Sequence, residues 1–160
     1  LTLVNFLRGS VTGLSVLILM SFGQSAYSVQ NLTKESKVAS STCTKGDVAL
    51  GSAHIAKQMG AFKFRNLSSA YSFASKEFRS SKTLKEFEQI ISSKYSMLLD
   101  YKNYKVTSCD KSGQFFMFTL ELIDKKGFTW EVRYLLSNPK GVWGVEAAAA
   151  SLIESPKIKA

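Results

Sequence analysis

A chain of 160 residues that is 45% hydrophobic and 21% charged has room for one domain with a real core and too little for two comfortable ones. The net charge of +9 arises from 21 Lys and Arg against 12 Asp and Glu, and the lysines are scattered rather than bunched. A scattered excess describes a solvated cationic surface and argues against a nucleic-acid groove.

The first 28 residues, LTLVNFLRGSVTGLSVLILMSFGQSAYS, carry one positive charge at Arg8, an uncharged apolar run around Leu14 to Phe22, and small residues at Ala26 and Ser28. That is the grammar of a signal peptide. The run is short of the about 20 residues that span a bilayer. Cleavage near Ser28 is expected, with export to the periplasm or outside and no membrane span in the mature protein. Removal would take away one arginine and no acid, lowering the charge by one. Residues 29–46 are polar and aperiodic and predict a flexible lead-in.

The folded domain is expected over 47–148. Asp47 can cap a first helix in which Val48, Ile55, Met59 and Phe62 share a face. Asn66 can cap a short second helix carrying Leu67, Ala70, Tyr71 and Ala74. Thr83 and Glu86 form a capping box ahead of a third, with Leu84, Phe87, Ile91 and Tyr95 on one side. After Asp100 the apolar period changes from helical to alternating. DKSG, DKKG and NPKG then separate four strands, at about 103–109, 114–123, 128–137 and 142–148. A type I turn closed by a glycine bulge would pair Asp110 with Gln114, Asp124 with Phe128 and Asn138 with Val142. This register gathers Tyr104, Val106, Phe116, Phe118, Leu120, Leu122, Trp130, Val132, Tyr134 and Leu136 on one face, which the helices must cover. The other face receives Lys105, Thr119, Glu121, Glu131 and Arg133 at one end, and Phe115, Met117, Leu135, Trp143 and Val145 at the other. That smaller apolar patch suits a homodimer, or a cover made by the lead-in. Residues 149–160 are expected to fray as a tail.

AFKFRNLSSAYSFASKEFRSSKTLKEFEQII and the closing GVWGV resemble small exported members of the nuclear-transport-factor-like, or ketosteroid-isomerase-like, proteins, in particular the domain of unknown function 4864 group. The resemblance covers roughly Ala53 to Ala147. It implies an α+β fold, a cystatin-like cone of three N-terminal helices on a curved four-stranded antiparallel sheet. Enzymes of that superfamily hold small apolar molecules between helices and sheet and place an acid or base there.

The candidate chemistry is sparse. Glu146 is the one carboxylate on the expected core face, opposite Tyr134, and a carboxyl desolvated by neighbouring rings suits proton transfer. Phe62, Tyr71, Phe87, Phe118 and Trp130 are candidate pocket-lining residues or simple core. His54 reads as a surface or rim histidine. Glu121 and Glu131 face each other, either as paired hydrolytic carboxylates or as a charge network with Lys105 and Arg133. Cys43 and Cys109 are the only cysteines and form a disulfide or two free thiols. The lone histidine and the absence of a Cys-x-x-Cys pair argue against a metal, and no cofactor is expected. The best account is an exported noncatalytic domain that binds a small apolar ligand or a protein partner. Its alternatives are an enzyme using Glu146 and Tyr134, and a cationic protein that binds envelope polymers.

Overall fold

A computed structural model describes residues 41–156. The expected signal peptide, most of the lead-in and the last four residues lie outside the described residues.

Thr44 opens the first helix. Its hydroxyl accepts the Asp47 N–H at 3.1 Å, and Asp47 Oδ2 accepts the Thr44 N–H at 3.1 Å. This reciprocal box starts α1, Lys45–Lys63, so Asp47 stands at the third helical position rather than at the cap. The inner face of α1 buries Ile55, Met59 and Phe62, as their spacing predicts. Helix α2, Leu67–Ser72, begins at Asn66, whose Oδ1 accepts the Ser69 N–H at 2.9 Å. A further helix, α3, Lys76–Ser81, was not expected: with Phe78 as its sole apolar residue it shows no period to read. Helix α4, Leu84–Lys94, starts at the Thr83–Glu86 box and buries Phe87 and Ile91. Among the described residues the helices therefore number four, not three. A 3₁₀ turn at Ser96–Leu98 follows and buries Met97 and Leu98.

The sheet is an antiparallel meander of β1 (Ser41–Thr42), β2 (Tyr101–Ser112), β3 (Phe115–Asp124), β4 (Thr129–Ser137) and β5 (Gly144–Glu154), in that order. The α+β class is as expected, with five strands instead of four among the described residues. Part of the expected lead-in supplies β1, where Thr42 pairs with Asp110. Much of the expected tail extends β5, where Leu152 pairs with Trp130. Alanine has weak strand preference, and AAAAS conceals this extension; cross-strand packing overrides propensity. Ala148 and Ala150 pack against the core.

Register explains which side chains meet. Between β3 and β4 it is the expected one, with Phe118 opposite Tyr134 and Glu121 opposite Glu131. Between β2 and β3 the connection is only Gly113 and Gln114, so Ser112 pairs with Phe115. Gly113 has φ 61°, the conformation a two-residue hairpin asks of a glycine at that position. With an irregularity between Val106 and Ser108, Cys109 moves opposite Phe118 and is buried in the core. Between β4 and β5, Leu136 pairs with Val145 and Leu135 with Ala147, leaving Glu146 as an extra residue in a bulge. Val145 is thereby turned into the core, and the Trp143 ring lies 4.7 Å from the core-facing Phe116. Neither belongs to the sheet back where the simpler register placed them. The apolar patch there contracts to Phe115, Met117 and Leu135.

Candidate functional site

Four of the five expected pocket-lining residues fill the space between helices and sheet. Phe62 stacks on Phe87 at 6.2 Å between ring centres, and Tyr71 reaches the same ring at 5.5 Å. Phe118 is fully buried and faces Gly51 so closely that a Cβ there would lie 2.3 Å from its Cζ. Tyr134 is fully buried too, and its hydroxyl donates to Met59 Sδ at 3.4 Å. Burial, reinforced by neighbouring tyrosines, raises its pKa far above the ordinary range and keeps the phenol neutral.

Glu146 and Tyr134 are engaged with different partners. In the β5 bulge, Glu146 Oε2 accepts the Ser75 hydroxyl at 2.8 Å and Oε1 accepts the Ser137 hydroxyl at 2.6 Å. Ser75 also caps α3 by accepting the Phe78 N–H at 2.9 Å. This arrangement fastens the start of α3 to the end of the sheet. Ser75 and Ser137 border a cleft of about 490 Å³ shared with Lys76, Arg79 and Trp143. Arg79 is itself tied to the backbone, donating to the Ser72 carbonyl at 2.8 Å and to the Ala74 carbonyl.

His54 is half-buried on α1. Its Nε2–H donates to the Phe73 carbonyl at 2.9 Å, and burial is the main cause holding its pKa below the ordinary value. Glu121 pairs with Lys105 at 2.9 Å and Glu131 with Arg133 at 2.8 Å, so the opposed acids form a charge network. Cys43 and Cys109 are joined as a disulfide. Among the described residues no group of three or more His, Cys, Asp or Glu side chains is placed to hold a metal ion, and no helix is long and apolar enough to cross a membrane.

Trp130 is the expected lining residue that borders an open recess. A cleft of about 400 Å³ has Met97, Phe128, Trp130, Ala150 and Leu152 as its apolar wall. Asp124 builds it. Its Oδ1 accepts the N–H groups of Lys126 and Phe128 at 2.9 and 3.0 Å, which closes the β3–β4 turn. Its Oδ2 accepts the indole N–H of Trp130 at 3.0 Å, which fixes the ring against the wall. The sequence pointed to Trp130 but not to the opposite wall, because Ala150 and Leu152 lie in the concealed end of β5.

Helices packed on one face of an antiparallel meander give the chain a fold of the NTF2-like kind. It is similar to the crystal structure of an NTF2-like protein of unknown function from Methylobacillus flagellatus KT, with a TM-score of 0.53 and 14% identity over 70% of this chain and 96% of that one. It is similar also to one from Shewanella baltica OS155, with a TM-score of 0.52 and 12% identity over 72% of this chain and all of that one. At such identities the likeness concerns the fold alone. The family described as Domain of unknown function (DUF4864) matches residues 49–158, and the chain belongs to that family. No curated protein matches the chain.

Proposed function

We propose that this protein is an exported, noncatalytic domain that binds a small apolar ligand in the Trp130 cleft. The observation that carries this reading is the contrast between a filled interior and an open apolar recess. Phe62, Tyr71, Phe87 and Phe118 occupy the space where an enzyme of this fold would hold a substrate, whereas Trp130 and Leu152 flank about 400 Å³ of open volume. Recesses with an apolar wall are the usual form of small-ligand sites, and the rest of this one is lined by Lys94, Ser96, Asp100, Asp124, Lys125 and Lys126. The disulfide agrees with export, since such bonds persist in oxidising compartments. The rival enzyme loses support because Tyr134 and Glu146 are bound to different partners. Titration with decanol, followed by amide and indole NMR, tests the proposal. Shifts centred on Phe128, Trp130 and Leu152 that vanish in Trp130→Ala are expected; shifts elsewhere, or none, would refute it.

A second reading concerns a partner. Phe115 is 40% exposed, beside the cross-strand pair Met117 and Leu135 on the sheet back. A homodimer through this contracted patch would bury it. Light scattering should then give twice the chain mass for the parent and the single mass for Phe115→Glu, and a monomeric parent rejects the dimer.

A further inference from the structure

We infer that the ligand of the Trp130 cleft is a single-chain amphiphile with an anionic head, its chain against Trp130 and Leu152 and its head at Lys94 and Lys126. This rests on the reading of that cleft as a binding site and specifies what enters it.

The polar groups at the cleft fall into two sets. The acids are already satisfied. Asp124 accepts three donors from its own turn, and Asp100 is held by Arg65 at 2.8 Å and Lys125 at 3.7 Å. Lys94 and Lys126 also line the cleft, and neither makes an ion pair among the described residues. The recess therefore offers two uncompensated ammonium groups and no uncompensated carboxylate. An anionic head answers that imbalance, and a cationic head would add to it.

The donors left open at the cleft are the Lys94 and Lys126 ammonium groups and the Ser96 hydroxyl, so its polar recognition falls at the charged side and not at the indole wall. The Trp130 indole N–H and the backbone N–H groups of Lys126 and Phe128 are all consumed by Asp124. What the indole presents is its ring, suited to methylene groups. Leu152 opposes Trp130 in register yet remains 48% exposed, an apolar surface still open to an apolar chain. The volume of about 400 Å³ is near the lower end for ligand sites. That size suits one chain better than the paired chains of a bilayer lipid.

The test uses the full chain with its disulfide intact and follows the Trp130 indole and Leu152 amide signals by NMR. Four probes are titrated: decanoate, decanol, decyltrimethylammonium and phosphatidylglycerol vesicles. Decanoate should bind roughly five-fold more tightly than decanol, with an advantage that shrinks as salt rises. Lys94→Gln and Lys126→Gln should each weaken decanoate by roughly two- to five-fold and leave decanol unchanged. Equal binding of decanoate and decanol, or lysine variants without effect, overturns the anionic assignment while leaving an apolar site at Trp130. Binding to vesicles alone overturns it in favour of a membrane surface. If no probe moves either signal, the site itself is refuted along with its ligand.

Discussion

Gly144 meets the backbone of Ser75 with no room for a side chain: a Cβ on Gly144 would lie 2.6 Å from the Ser75 Cα. Two hydrogen bonds hold this approach, Ser75 N–H to the Val145 carbonyl at 2.9 Å and Val145 N–H to the Phe73 carbonyl at 3.0 Å. The link between α2 and α3 thus serves as a short parallel partner for the start of β5, bridged at Ala74 and Val145. Gly144→Ala should cost about 2–3 kcal/mol, because the obstacle is main chain and cannot rotate away. Urea denaturation would show it, and stability equal to the parent would disprove the contact.

The disulfide should be a large contributor to stability. Cys43 and Cys109 are separated by 66 positions, and closing a loop of that length in the unfolded chain is worth about 4 kcal/mol on the chain-entropy account. Reduction, or the paired change Cys43→Ser with Cys109→Ser, should lower stability by that order. A loss below about 1 kcal/mol would mean that the unfolded chain is already compact around the two sites.

His54 should make stability depend on pH in the mildly acidic range. Burial disfavours its charged form, Lys57 acts in the same direction, and the Phe73 carbonyl opposes both. The folded protein therefore takes up a proton less readily than the unfolded chain. The contribution is present above the ordinary value of 6.5 and is lost as pH falls through the lower folded value. His54→Gln, which retains a neutral donor for Phe73, should flatten that part of the profile. An unchanged slope would assign it to other groups.

Asp124→Asn should disturb the turn and the cleft together. An amide has one oxygen where the carboxylate uses two, so one of its three donors is left unmatched. A loss of about 1.5–3 kcal/mol is expected, with a displaced Trp130 indole resonance. An unmoved indole signal would show that packing alone orients the ring.

The legibility of the chain varied with how local its determinants were. Helix starts at Asn66 and Thr83 were readable, because a cap and the N–H it receives lie within one turn. The β3–β4 register was readable for the same reason, since Asp124 to Gly127 closes its own loop. Two choices misled, one between rival local turns in DKSG and one set from a distance. The β2–β3 hairpin uses only Gly113 and Gln114 instead of a four-residue turn, and the bulge at Glu146 depends on Phe73 and Ser75, about seventy residues away in sequence. Each altered a face assignment, moving Cys109 and Val145 inward. Trp130 could be proposed as a lining residue from its face alone. Its cleft could not, because the opposite wall comes from an alanine-rich strand held by tertiary pairing.

Strands β1 and β5 form the two opposite margins of the sheet. The described chain enters along one margin, beside β2, and the Trp130 cleft draws Ala150 and Leu152 from the other. A label on the exposed Thr42 would stand at the far margin from the cleft. One on β5 beside Leu152 would stand against it, so the labelled strand decides whether a surface-bound sample can be probed with ligand.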